Sequence, residues 1–293
     1  RPSMSAAFKF LFASLVLAIN TLVLVPSMIP VALVKLALPM QGVRRACDRA
    51  LMGIAALWID INGFWLGTVN RGHWDVSGVD GLDPRGWYLV ASNHQSWVDI
   101  VVLQRIFNRR IPMLKFFTKK ELIYVPVIGF AWWALDFPFM QRKGGASARA
   151  DMEAGRQACA KFRLVPTSVM SFVEGTRLTP AKHAKQNSPY RHLLKPKVGG
   201  IGMALETLGD AFTGFLDVTI VYPQGTPTFT DAMAGRMGKV VVRAHLRAIP
   251  PQVLPPANEP VPRAAVQSWV NELWQAKDEE IGQLLSNTDG LAS

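Results

Sequence analysis

The sequence predicts an α/β fold, a mostly parallel sheet flanked by helices, with an N-terminal helical pair embedded in a membrane. Three observations predict it. Short apolar runs rich in β-branched and aromatic residues alternate with helix-like patterns between residues 87 and 245. The first 70 residues are dominated by a long uncharged apolar run, and a proline-rich connector near residue 250 leads into a final amphipathic pattern.

The N-terminal run extends from Phe10 to Val34, 25 residues without a charge, and would cross ~30 Å of hydrocarbon if helical throughout. Pro26 and Pro30 interrupt its second half. Arg1 and Lys9 flank it on one side, and Lys35, Arg44, Arg45 and Arg49 on the other. Because basic flanks stay on the cytoplasmic side, this pattern predicts a broken helix that dips into the bilayer and returns. A cleavable signal peptide fits less well, since the run exceeds the usual ~7 to 15 residues and no small-x-small site follows. The stronger competitor is an ordinary buried helix pair. Residues 46 to 67, with Trp58, Phe64, Trp65 and two aspartates, resemble an interfacial helix.

Strands are expected at 87 to 91 ("WYLVA"), 113 to 118 ("MLKFFT"), 136 to 140 ("DFPFM"), 168 to 173 ("SVMSFV"), 217 to 222 ("DVTIVY") and 239 to 245 ("KVVVRAH"). Helices are expected near 96 to 107, 121 to 134, 146 to 162, 198 to 209 and 263 to 285. The last of these carries Val266, Trp269, Val270, Leu273 and Trp274 on one packing stripe. The organisation that follows is a membrane-associated segment (1 to 70), an α/β domain (71 to 250), and a connector with a helix that docks back (251 to 293).

The bulk numbers narrow the partners. Lys and Arg number 32 against 21 acidic residues, a net charge of +11, and there are nine tryptophans. Such a surface suits nucleic acid or an anionic membrane, and the apolar N-terminus favours the membrane. Cys47 and Cys159 have no CxxC or Cys/His partners at zinc spacing and read as reduced thiols, so no metal is expected.

Three segments carry chemistry. "SNHQSWVDI" (92 to 100) follows a strand and opens a helix, which places His94 and Asp99 where open α/β sheets bind ligands. A carboxylate on one ring nitrogen fixes the tautomer of a histidine, which can then take a proton from a hydroxyl nucleophile. Taken alone, such a pair is more often structural. "FVEGTR" (172 to 177) supplies a turn at Gly175 between Glu174 and Arg177, with the Thr176 hydroxyl beside them. The bland reading is a tight turn with an internal ion pair. "FMQR" (139 to 142) ends a further strand in Arg142, so three strands end in His/Asp, Arg and Glu/Arg on one sheet edge.

"NHQSWVD", "FMQR" and "FVEGTR" resemble the NHx4D, second and FPEGTR blocks of the glycerophospholipid acyltransferase family, of the 1-acylglycerol-3-phosphate type. "LKPKVGG" (194 to 200), "DVTIVYP" (217 to 223) and "TKKELIYVPVIG" (118 to 129) are similar to its other blocks, and order and spacing agree from about 85 to 225. The resemblance implies a membrane-bound enzyme on the cytoplasmic face, in bacteria the inner membrane. It would move a fatty acyl group from acyl-CoA or acyl carrier protein to 1-acyl-sn-glycerol-3-phosphate, giving phosphatidic acid. It also implies His94 as general base, Asp99 as its orienting partner, and Arg142 and Arg177, with Lys120 as a weaker third, on the acceptor phosphate. Glu174, Gly175 and Thr176 would shape the acceptor site. No cofactor is implied. Val173 departs from the usual proline, which leaves the acceptor open to another lysophospholipid or a lyso-aminolipid. A non-catalytic basic protein binding membrane or nucleic acid is the alternative of another class; nucleic acid is not the expected partner.

Overall fold

The computed structural model describes residues 5–38, 40–71, 74–116, 118–137, 139–140, 162–163, 165–255 and 260–289. The chain begins with two long helices, α1 (Ala6–Ala37) and α2 (Gln41–Val69), packed as an antiparallel hairpin. Ala13 meets the far end of α2, and Val25, Met28 and Ala32 meet Leu51 and Ala55 near the hairpin's tip. One polar rung crosses this apolar seam: Asn20 Nδ2 donates to Trp58 O (2.9 Å) and Asn62 Oδ1 (3.0 Å).

The expected break in the first helix does not occur. Pro26 and Pro30 each remove one backbone donor, but their i, i+4 spacing puts both on the exposed face of α1. The opposite face is held straight by Val25, Met28 and Ala32, so tertiary packing overrides the local defect. Both ends of α1 lie against the α/β part. Near its start Ala13 joins the core of the sheet, and near its end Lys35 pairs with Asp48 (2.7 Å) and Asp136 (2.6 Å).

The sheet has six strands in the order β1 (Trp74–Ser77), β8 (Val240–Arg247), β7 (Gly214–Val221), β2 (Tyr88–Ser92), β6 (Ser168–Phe172), β3 (Leu114–Phe116). All neighbouring pairs are parallel except β7 with β8, so the mostly parallel sheet stands as expected. Strand β1 escapes sequence reading because "WDVS" is too short to show a period.

The expected strands at 113 to 118 and 136 to 140 do not both join this sheet. The first is divided into β3 and β4 (Thr118–Lys119), and β4 pairs only with β5 (Phe139–Met140) in a separate parallel ribbon. The segment at 121 to 134 is likewise divided. A 3-10 turn (Lys120–Tyr124) precedes α4 (Ile128–Ala134), because Pro126 and the positive φ of Val127 (68°) interrupt it. The helix at 146 to 162 falls almost wholly outside the described residues. Helix α3 (Val98–Phe107) starts two residues later than expected.

The sheet separates two apolar cores. On one face α2, α3 and the start of α1 bury Trp65, Leu66, Val102, Leu103 and Phe107 against Val90, Leu216 and Val242. On the other, α6 (Gly199–Leu208) and the 27-residue α8 (Arg263–Asp289) cover Leu89, Val169 and Phe215. Val266, Val270 and Trp274 of the expected stripe are fully buried there. Two short helices, α5 (Pro180–Gln186) and α7 (Phe229–Met233), sit in the loops after β6 and β7.

Candidate active site

Strands β2 and β6 are parallel neighbours in register Ser92↔Phe172, so the loops that leave their carboxyl ends lie side by side. The first loop brings His94 and Asp99 together. His94 Nδ1 stands 2.8 Å from Asp99 Oδ2, which also accepts the backbone N–H of Gln95 (2.6 Å) and Ser96 (2.8 Å). Three consecutive residues thus curl around one carboxylate in the first turn of α3, and this curl delivers the imidazole. Because Oδ2 already accepts from two backbone donors, the proton is assigned to the Nδ1 that faces it, which leaves the Nε2 lone pair able to accept one.

The other oxygen, Asp99 Oδ1, accepts from Tyr222 Oη at 2.6 Å. Burial first, and then the Asp99 carboxylate, push the Tyr222 phenol well above its ordinary range, so it remains a donor. On the other side the His94 ring stacks on Phe172 with centroids 3.9 Å apart and planes 12° from parallel. Asn93 locks the loop to β7, its side chain donating to Ile220 O (2.8 Å) and accepting from Ile220 N (2.9 Å).

Glu174, Gly175, Thr176 and Arg177 form the second loop. Gly175 has φ 68° and its N–H closes the turn on Phe172 O (2.9 Å), while a Cβ there would stand 3.1 Å from Lys197 Cδ. Glu174 is completely buried. Its Oε1 accepts His94 N (2.7 Å) and its Oε2 accepts Leu194 N (2.9 Å), so it fastens the histidine's own main chain to the segment at 194. Burial raises its carboxyl to about 7, with the Asp99 charge adding to the rise and the two N–H donors and Lys277 opposing it. The residue therefore supports the site from beneath, holding the backbone that carries the His94 imidazole.

Arg177 is tied to His94 by its neighbour, since Leu178 N donates to His94 O at 2.8 Å. Its guanidinium lies over the exposed indole of Trp97, 4.9 Å from the ring centre. Lys182 Nζ donates to Thr176 Oγ1 (2.7 Å) and Arg177 O (3.1 Å), adding a second cation to this rim. Of the remaining expected phosphate ligands, Lys120 begins the 3-10 turn, and Arg142 lies outside the described residues. Phe139 and Met140, which open the block that carries Arg142, form β5 of the small ribbon and not a strand of the main sheet.

Sequence reading missed Tyr222, Phe172, Trp97 and Lys182 as site residues. Tyr222 had a signal: it ends "DVTIVY", and β7 is the other parallel neighbour of β2, so its carboxyl end opens on the same rim. Among the described residues no cluster of His, Cys, Asp and Glu could hold a metal ion.

Comparison with known proteins is consistent with this geometry. The crystal structure of the 1-acyl-sn-glycerophosphate (LPA) acyltransferase PlsC from Thermotoga maritima shares the fold, with a TM-score of 0.58 at 18% identity over 94% of this chain and 98% of that one. 1-acyl-sn-glycerol-3-phosphate acyltransferase delta of Mus musculus is 27% identical over 207 residues, 65% of this chain and 51% of its own. 1-acyl-sn-glycerol-3-phosphate acyltransferase 2 of Arabidopsis thaliana is 26% identical over 200 residues, 65% of this chain and 50% of its own. The chain spans about half the length of these curated relatives. The model of the acyltransferase family matches residues 73–227, which run from the first strand through both site loops and Tyr222, and the chain belongs to that family.

Proposed function

We propose that this protein acylates 1-acyl-sn-glycerol-3-phosphate to phosphatidic acid, with acyl-CoA or acyl carrier protein as donor. The observation that carries the reading is the His94–Asp99 pair at 2.8 Å, joined through Leu178 to the loop that bears Arg177. The Nε2 atom of His94 takes the proton of the acceptor hydroxyl as its oxygen attacks the thioester carbonyl. The tetrahedral intermediate then expels the thiolate, which recovers that proton from the imidazolium. Asp99, held by Tyr222 and two backbone N–H groups, stabilises the imidazolium through this cycle. Arg177, with Arg142 and Lys120 carried over from the resemblance, is assigned to the acceptor phosphate.

The reaction needs both substrates at a lipid surface. Two helices, α1 and α2, are long and apolar enough to cross a membrane by length and composition. The exposed side chains of α1 include Leu11, Leu15, Ile19, Leu22, Ile29 and Leu33, an i, i+3/i+4 stripe. Since both ends of this helix rest on the α/β part, the reading is a hairpin lying in one leaflet, on the cytoplasmic side, with basic groups toward anionic lipid headgroups.

The test is acyl transfer by the purified chain, with lysophosphatidate and a panel of other lysolipids as acceptors and both thioester classes as donors. Lysophosphatidate is expected to give the highest kcat/KM. His94→Ala is expected to lower kcat about 10²- to 10⁴-fold with unchanged circular dichroism, the range that a positioned base contributes. Full activity in the folded variant would refute the base assignment. Salt-sensitive nucleic-acid binding without thioester turnover would favour the non-catalytic alternative.

A further inference from the structure

A cleft of about 630 Å³ opens between α2, the end of α3 and the edge strand β1, with Trp74, Asp80, Arg105, Asn108 and Arg110 among its walls. It shares no residue with the site around His94. The two lie toward opposite ends of α3, with Asp99 in its first turn and Arg105 in its last, six residues or roughly 9 Å apart along the axis at 1.5 Å per residue.

Helix α2 is cut to fit the Arg105 side chain. The guanidinium donates to Gly63 O, and a Cβ at Gly67 would stand 2.5 Å from its Nη2. It also lies 4.9 Å from the centre of the Trp74 ring. Among the described residues no carboxylate pairs with it. Asp60, an acidic residue of the cleft wall, is already engaged by Asn108 (2.6 Å) and by Arg109 (2.7 Å). Arg110 spends one donor on Ile106 O and is otherwise exposed. Among the described residues, the cleft therefore holds two cations without a carboxylate partner, Arg105 and Arg110, against one uncommitted carboxylate, Asp80.

An unneutralised, half-buried guanidinium is costly to keep unless an anion completes it. Ile59, Val76 and Val79 add apolar side chains to an otherwise polar wall, and Phe64, 63% exposed at the rim, belongs to the same hairpin whose other helix presents the apolar stripe. An anion with an apolar body fits this arrangement better than a free ion. We propose that this cleft is a second lipid site, which binds the phosphate headgroup of a membrane phospholipid through Arg105 and Arg110 and lays its glycerol and upper acyl chains along Phe64.

The test uses the full chain in neutral detergent and carries Arg177→Ala, which removes the acceptor-phosphate cation assigned above. Native mass spectrometry follows titration with dioctanoyl phosphatidylglycerol and, separately, with inorganic phosphate. One bound phospholipid is expected, with inorganic phosphate at least a hundredfold weaker. Arg110→Gln and Phe64→Ser, both at exposed positions that do not hold the fold, should each weaken the lipid about tenfold, and Arg105→Met should weaken it further. Absence of binding, equal binding by inorganic phosphate, or unchanged affinity in both exposed variants would overturn the proposal. Acyl transfer by Arg110→Gln in the otherwise native chain is expected to match the parent in detergent, so the outcome at the cleft and that of the proposed reaction are read separately.

Discussion

The two long helices at the ends of the described chain, α1 and α8, are of similar length and face opposite surroundings. Helix α8 turns Val266, Val270, Trp274 and Ile281 inward and sends Asn271, Glu272, Gln275, Glu279 and Gln283 to water. Helix α1 buries only Ala13, Asn20, Val25, Met28 and Ala32, and leaves leucine, isoleucine and phenylalanine outside. Burial of apolar area explains why α8 docks in water at about 25 cal/mol per Å². The same rule gives no gain for the outer face of α1 unless something apolar covers it. The difference also extends to charge: α8 carries a lysine into the core, whereas α1 has no charge between Lys9 and Lys35.

That lysine gives the largest expected effect. Lys277 is fully buried, with Nζ 2.6 Å from Asp217 Oδ1, 2.8 Å from Val218 O and 3.0 Å from Thr219 Oγ1. Among the described residues, Lys277→Met would leave the buried Asp217 with only the longer contact to Arg247 at 3.5 Å. The expected loss is about 3 to 5 kcal/mol, read from the urea midpoint of the α/β part, and Lys277→Met with Asp217→Leu should recover most of it. A loss below about 1 kcal/mol in the single variant would mean that α8 docks through its apolar stripe alone. Helix α8 also touches the site, because Trp274 Nε1 donates to Leu194 O (3.0 Å) and Asp278 accepts the N–H groups of Arg191 and His192. Leu194 is the residue whose N–H holds Glu174, so loss of α8 docking should lower acyl transfer as well as stability.

The sequence disclosed what depends on neighbours in the chain and concealed what depends on distant ones. Strand, turn and helix around "SNHQSWVD" were legible, and with them the meeting of His94 and Asp99, because five residues and one turn suffice to build it. The parallel sheet was legible from alternating patterns. Tyr222 reaches Asp99 from 123 positions away and Lys277 reaches Thr219 from 58, so no local period reports them. The kink expected at Pro26 and Pro30 failed for a related reason. A proline rule counts lost local hydrogen bonds, whereas the straightness of α1 is decided by Val25, Met28 and Ala32 packing on α2. Glu174 was legible as a site residue, yet its support of two backbone segments was not, since Leu194 N becomes its partner only once the chain folds back.

A smaller effect on the fold, and a larger one on location, is expected from α1. Leu15→Lys and Leu22→Lys place charges on the outer stripe at positions that touch little of the protein, 57% and 63% exposed. The unfolding midpoint should move by no more than about 0.5 kcal/mol. Flotation with anionic vesicles should show retention falling about tenfold or more for the pair, because each lysine replaces apolar area that the bilayer would otherwise cover. Retention equal to the parent, with the fold intact, would place the membrane contact elsewhere and remove the distinction between the two helices.

The smallest effect sharpens the polar side of α8. Glu280 sits between Thr219 Oγ1 (2.6 Å) and His245 Nε2 (2.7 Å), bridging the helix to β7 and β8. Burial pushes its carboxyl up, but the hydrogen bonds from Thr219 and His245 outweigh that and leave it below the usual glutamate range. A depressed carboxyl contributes stability that is present above the unfolded value near 4.5 and is lost as pH falls through the lower folded value. The protein should therefore lose part of its stability on acidification below about pH 4.5, and His245→Ala should flatten that part of the profile. At neutral pH the variant should cost only about 0.2 to 1 kcal/mol, the range for a partly exposed pair, as the His245 side chain is 42% exposed. Denaturation midpoints from pH 3 to 7 decide it: a profile unchanged by His245→Ala would assign the acid sensitivity to Thr219 or to other carboxylates.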